Sequence, residues 1–491
     1  MGTTAPHHGA ADTGITAPLL PSEAMEPAAA PRRNMFAFVC ATLASMTTIL
    51  MGYNLALMSG AELFMREDLG LTDEQVEVLS GSMNLFMLAS ILAAGWAADA
   101  IGRRGTIVLA NAFLMAGAVA MSLGGSYAAL MAARFVTSVG VGFAVVVAPV
   151  YAAEIAPASS RGLLSSLMFI SLGLLLSYVS NYAFAGLPVH LGWRVMYGVG
   201  VLPPVLLAAG VLAMPESPRW LAMRGRDADA RAVLLRTSDT PDEADLRLQE
   251  IKQAVKAQQP EVADGEGGAA VWRELLLWPS ASVRRILVCV VGIHFFQQAS
   301  GIDAIVLYSP LVFRKAGMAS DAAVLGATVG VGVVKMCFVL VATLLSDRLG
   351  RRPLLLASTA GVAASMAALG AALCAGGATS PASMAMAATV VSVMAFMAAF
   401  SVGLGPMAGT YSAEIMPLRL RAQGASLGMA VNRLTCALVS MTFISLADAI
   451  TMPGCFFLYA GVAAAACMFV YARMPETRGR SLEDMGALFT K

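Results

Sequence analysis

Long apolar runs closed by short polar breaks organise this chain from residue 36 to residue 472. The runs occupy 36–58, 79–98, 105–123, 127–151, 162–184, 193–213, 286–313, 322–346, 353–375, 383–412, 423–447 and 453–472, each near or above the roughly 20 residues that a helix needs to cross a hydrocarbon layer. They fall six and six about a polar middle. The pattern predicts an all-α integral membrane protein of 12 transmembrane helices in two six-helix pseudo-symmetric bundles. The expected divisions are a cytoplasmic tail at 1–34, a first bundle at 35–213, a linker at 214–283, a second bundle at 284–473 and a tail at 474–491. Within the linker, Ala228–Leu235 and Leu246–Val255 carry Leu, Ile and Val at helical spacing, which predicts short amphipathic helices resting under the bundle.

The polar residues repeat as well. Asp99, Gly102, Arg103 and Arg104 after the second run return as Asp347, Gly350, Arg351 and Arg352 after the eighth. Tyr151, Glu154 and Arg161 are matched by Tyr411, Glu414 and Arg421, and Pro215-Glu216 by Pro475-Glu476, all at one interval. A series in the same order marks an internal repeat. Duplicated bundles of this kind are the architecture of carriers that open a central site to each side in turn. Glu154 and Glu414 beside these arginines are expected to latch neighbouring helices when the protein faces outward, because positive-inside bias alone requires no acid.

Composition agrees with a lipid setting: 58% of residues are hydrophobic and 13% charged, with a formal net charge of +1. Orientation follows from Lys and Arg placement instead. Arg32, Arg33, both Gly-Arg-Arg turns, Arg161, the linker, Arg419, Arg421 and Arg473 share one side, against Arg66, Arg194, Arg314 and Lys315 on the other. Both termini are therefore expected in the cytoplasm. Residues 1–34 lack the apolar core of a cleaved leader. The seven cysteines lie in or at the ends of apolar runs without ligand spacing and read as small hydrophobes. No nucleophile with a base, phosphate-cradling turn or metal constellation appears, so neither an enzyme nor a cofactor or metal is expected. The lipid bilayer is the expected surrounding partner, with no role for nucleic acid.

The motifs themselves resemble a known family. Gly-Arg-Arg after the second and eighth runs, Val150-Tyr151-Ala152-Ala153-Glu154, Pro215-Glu216-Ser217-Pro218-Arg219, Gln297-Gln298 followed by Gly301-Ile302-Asp303, and Pro475-Glu476-Thr477 together resemble the sugar porter branch of the major facilitator superfamily. Tyr178–Phe184, Gly292–Ala304 and Pro417–Gly424 are closest to the plant polyol and monosaccharide transporters. The resemblance implies transport of a polyhydroxylated solute, with proton coupling in many relatives, and the plasma membrane ahead of the vacuolar one. It places Gln297, Gln298 and Asp303 on the solute, with Gly405 and Asn432 as further ligand positions. Such a solute surrenders many water hydrogen bonds, so amides and carboxylates at mid-depth are the chemistry it requires.

Arg134, Asp303 and Lys335 are charges inside apolar runs, where a lone cation costs roughly 2.5–3.5 kcal/mol on the milder scale. Asp303 and Lys335 fall at similar depths and are expected to pair, either as a structural staple or as a titrating element. His294 reads as a packing residue. Three departures from the family stand out. Proton-coupled relatives carry Gly-Tyr-Asp in the first helix, near the Arg at position 134; here the frame is Gly52-Tyr53-Asn54, which favours a uniporter, or coupling moved to a carboxylate such as Asp303. The Trp that walls the sugar in the tenth helix is Gly409. The fifth-helix Gln or Glu is missing, with Ser165, Ser166 or Ser171 as partial substitutes. A non-transporting sensor, or a carrier of another small organic solute, are the alternative readings.

Overall fold

The computed structural model describes residues 35–155, 166–238, 240–263, 275, 277–375, 382–417 and 420–477. Arg161, Ser165, Arg419, the tail at 1–34 and residues 478–491 lie outside the described residues, as do the side chains of Asp347, Ser166 and Arg421. Every described regular element is a helix.

The first half comprises α1 (Met35–Leu69), α2 (Asp73–Ile101), α3 (Arg103–Leu123), α4 (Tyr127–Ile155), α5 (Ser166–Phe184) and α6, which is Val189–Val199 continued by Leu202–Leu212. The second half comprises α7 (Ala281–Ala299 continued by Ile302–Lys315), α8 (Asp321–Leu349), α9 (Arg351–Ala375), α10 (Ala382–Val402 continued by Leu404–Ile415), α11 (Arg421–Ser440 continued by Phe443–Ile450) and α12 (Met452–Arg473). Among the described residues, eleven helices are long and apolar enough to cross a membrane, and the bent α11 pair makes twelve.

Two boundaries differ from the hydropathy pattern in a way that matters later. α1 runs eleven residues beyond position 58, and α2 starts six before position 79. Thr72 caps α2 through a reciprocal bond with Gln75, which fixes the early start. Glu62 and Glu77 thereby become helical residues of the bundle.

The breaks have local causes. Gly301 adopts φ +86°, and a Cβ there would lie 2.8 Å from the Tyr459 ring, so only glycine fits between the two parts of α7. Pro310 sits inside the continuous Ile302–Lys315 segment. In α11 the chain bends by 51° between Ser440 and Phe443.

At the end of the bundle that carries the linker, each half builds the same cluster. Glu216 accepts from the backbone N–H groups of Arg103 and Arg104 (2.9 and 3.1 Å), and Glu476 from those of Arg351 and Arg352 (both 3.0 Å). A carboxylate thus closes the positive N-terminus of α3 and of α9. Gly102 (φ +88°) and Gly350 (φ +92°) make the approach possible, since a Cβ at either would meet that carboxylate. Arg103 reaches Glu154 at 3.4 Å and Arg351 reaches Glu414 at 2.8 Å. Tyr151 donates to Pro215 O and Tyr411 to Pro475 O. Asp99 pairs with Arg103, while Arg104 and Arg352 donate to the carbonyls of Leu212 and Tyr471. All of these contacts stay within one half.

The linker forms helices Pro218–Met223, Asp227–Thr237 and Pro241–Ala263. Leu221, Ala230, Leu234, Ala244 and Leu248 bury their apolar faces together. Arg236 lies over the Phe36 ring and Arg247 donates to Glu154 O, which moors the linker to the first half.

Candidate functional site

Between the halves lies a cavity of about 300 Å³, at the lower limit for small-molecule sites. Its walls come from α1, α2, α4 and α5 on one side and α7, α8, α10 and α11 on the other. Met51, Ile91, Val145 and Ile170 make the first wall apolar; the second carries Gln297, Gln298, Asp303, Lys335, Asn432 and Arg433. A larger hollow, about 630 Å³, lies at the linker end of the second half among Arg284, Arg285, Arg352 and Arg473. It is lined by one half only and has none of the amides.

The amides form one connected network. Gln297 donates to Leu404 O (3.1 Å) and Gly405 O (2.8 Å), carbonyls in the first turn of the second α10 segment. Its own oxygen accepts from Asn432 Nδ2 at 2.7 Å. Gln298 donates to Asn432 Oδ1 at 3.1 Å and leaves its own buried oxygen without a hydrogen-bond partner. The break at Gly301 sets the direction of these side chains, because it ends the first α7 segment immediately after the two glutamines. The structure therefore brings Gln297, Gln298, Gly405 and Asn432 into one wall, with Asp303 and His294 beside them.

Asp303 and Lys335 line the same cavity and act on each other electrostatically. Among the described residues, however, no Asp303–Lys335 ion pair within 4 Å is found, and Asp303 Oδ2 has no hydrogen-bond partner. The expected closed pair is thus an open arrangement facing the cavity. Arg433 supplies a second positive charge on Asp303.

Arg134 is 1% exposed and lies in the first half, outside the cavity lining. It donates to Leu79 O (3.3 Å) and to the backbone oxygen of Asn54 (3.4 Å), with Nη2 unpartnered. The Asn54 amide turns away to Leu50 O at 2.8 Å, so the contact of this residue with Arg134 is made by its main chain. Gly409 lines the cavity, and a Cβ there meets nothing within 4 Å. Ser171 also lines it, donating to Leu167 O.

Four residues enter the picture that hydropathy did not single out. Glu62, 5% exposed, accepts from the Ser80 hydroxyl at 3.5 Å and lies in the field of Arg134. Glu77, 2% exposed, accepts from the backbone N–H groups of Ile444 and Ser445 and from the Ser445 hydroxyl, crossing from α2 to the segment after the α11 bend. Asn84 accepts from Arg433, again between halves. With the bond from Tyr178 to Val306 O (2.8 Å), these contacts seal the seam at the end opposite the linker. The cavity reaches toward the linker end, past Ile91, Leu167 and Gly409.

The chain matches the family described as Sugar (and other) transporter over residues 40–489. Polyol transporter 5 of Arabidopsis thaliana is 50% identical over 500 residues, spanning 98% of this chain and 92% of its own length. Putative polyol transporter 1 of the same plant is 51% identical over 468 residues, spanning 93% and 92%. Among solved structures, the proton:xylose symporter XylE bound to 6-bromo-6-deoxy-D-glucose superposes with a TM-score of 0.74 at 26% identity, covering 93% of this chain and all of that one. The inward open conformation of XylE from E. coli gives a TM-score of 0.77 at 24% identity, a likeness of fold, over 92% of this chain and 100% of that chain.

Proposed function

The chain belongs to the sugar transporter family of the major facilitator superfamily, and on that premise we propose that it carries a polyol or monosaccharide across a membrane by alternating access. One observation carries this reading: the Gln297, Gln298 and Asn432 network faces a solute-sized cavity on the boundary between two repeated bundles. Amide donors and acceptors held on rigid helices replace the water of a hydroxyl-rich solute without requiring it to carry charge. The apolar first wall receives the C–H face of the same molecule.

The linker end is assigned to the cytoplasm, supported by the arginines gathered there. The described state is then inward-facing: sealed by Glu77, Asn84 and Tyr178 on the outside, with its cavity reaching inward. The Arg103–Glu154 and Arg351–Glu414 pairs, closed here inside each half, serve in this reading as the surfaces that meet when the cytoplasmic side shuts.

The coupling mode proposed is facilitated uniport. An amide at position 54 does not titrate, and its side chain is engaged by its own helix rather than by Arg134. The experiment is uptake of a labelled hexitol and hexose panel into proteoliposomes with an internal pH indicator. The wild type is expected to show saturable uptake with no solute-driven proton entry, and Asn54→Asp to acquire it. Robust proton entry with the wild type would overturn the uniport.

A further inference from the structure

Arg433 stands inside an apolar helix, next to a solute ligand, and no carboxylate lies within 4 Å of it among the described residues. A cation at that depth costs about 2.5–3.5 kcal/mol, so its retention calls for a task. Its guanidinium spans the seam. Nε and Nη2 donate to Asn432 Oδ1 at 3.0 and 2.6 Å, while Nη1 donates to Asn84 Oδ1 of the first half at 3.3 Å.

Both ends of this bridge are poised to change. Asn432 Oδ1 takes three donors, two from Arg433 and one from Gln298, although an amide oxygen offers two lone pairs. The network is therefore oversubscribed when no solute fills it, and an arriving hydroxyl competes with Arg433 for that oxygen. On the other side, Asn84 is fully buried and its Nδ2 has no hydrogen-bond partner, leaving the long bond from Arg433 as its described side-chain contact. Asn84 lies two turns along α2 from Glu77, on the same face, so the two residues grip α11 at successive points of one seam.

We propose that Arg433 is the positioning residue through which solute occupancy releases the outer seam: it orients Asn432 for the solute and, in the same fork, holds Asn84 of the opposite half. Solute binding draws the guanidinium toward the cavity and breaks the Asn84 contact, which leaves Glu77 as the remaining polar grip between α2 and α11. Lysine cannot substitute, because one ammonium does not present a planar fork to two amides at once.

This inference rests on the transport reading, and the test separates the two. Ile444→Cys places a thiol at the sealed seam, and its labelling by an impermeant maleimide on proteoliposomes reports outer opening; sorbitol and glucose serve as probes. In an otherwise wild-type background, solute is expected to raise labelling. Asn84→Ala should raise solute-free labelling about five-fold, the equivalent of one ordinary hydrogen bond, while keeping affinity. Arg433→Gln and Arg433→Lys should raise it likewise, lose the response to solute, and weaken binding by about ten-fold or more. Wild-type labelling in Asn84→Ala without solute, or wild-type affinity and response in both Arg433 variants, would overturn the proposal. If neither probe binds the wild type, the solute reading fails instead, and the solute-free comparison of Asn84→Ala still decides the bridge.

Discussion

Gln297→Ala is expected to lower the ratio of maximal uptake rate to half-saturation by one to two orders of magnitude, and the Gln297→Ala/Gln298→Ala double variant to bring uptake to background. Gln297 bonds two α10 carbonyls and takes a bond from Asn432, so it is the joint between α7, α10 and α11. Truncation leaves Asn432 Nδ2 without its Gln297 acceptor and removes the side-chain bonds to Leu404 O and Gly405 O. Each such loss costs about 1–3 kcal/mol where water does not compensate. In the proposed site the solute also loses a donor and an acceptor. Because the defect sits in the binding wall, most of it should appear in half-saturation, whereas a helix-packing role would appear in thermal stability. Gln297→Met, similar in volume and unable to hydrogen-bond, separates these: uptake near wild type with Met would assign the residue to packing.

The second large effect belongs to Arg134. It is buried with Glu62 in its field, and the two are not in direct contact. Arg134→Met keeps the volume, removes the cation and removes its bonds to the carbonyls of Leu79 and Asn54. Removing a buried cation leaves the carboxylate in its field uncompensated. Detergent-solubilised Arg134→Met should therefore melt well below wild type, and adding Glu62→Gln should recover much of the loss. Equal destabilisation with and without Glu62→Gln would show that the carboxylate is not balanced by Arg134.

What hydropathy reveals in such a chain has a physical boundary. Six and six spans are legible because lipid demands continuous apolar helices, and the duplicated Gly-Arg-Arg and Pro-Glu steps are legible because a helix N-terminus needs the same carboxylate in both halves. Glu62 and Glu77 escape that reading for the same reason. A hydropathy window stops at the first acids, whereas the helices continue and bury those acids at the seam between bundles. Arg433 escapes because a single cation barely lowers the mean of a long run. The signal that finds it is the neighbour Asn432, since a charge adjoining a ligand amide in an apolar helix is costly unless used. The Asp303–Lys335 spacing along two helices gives equal depth but not the lateral distance, and the cavity between them is what holds them open.

The α11 bend was equally hidden, since Ser440–Phe443 carries neither Gly nor Pro. Glu77 caps the segment that follows, so the bend is held by the opposite half rather than by local sequence. A tertiary contact decides the backbone there, which is why that seam is a natural place for the gate in the proposed cycle.

Counterflow tests the central claim most directly. Proteoliposomes holding the full chain are loaded with unlabelled sorbitol or glucose and diluted into a trace of the labelled compound. A site between two bundles that opens to each side in turn predicts a transient accumulation of label above equilibrium, abolished by Gln297→Ala/Gln298→Ala. Saturable binding of either compound in detergent, with no such overshoot in sealed vesicles, would contradict the account and leave a receptor with a carrier's fold.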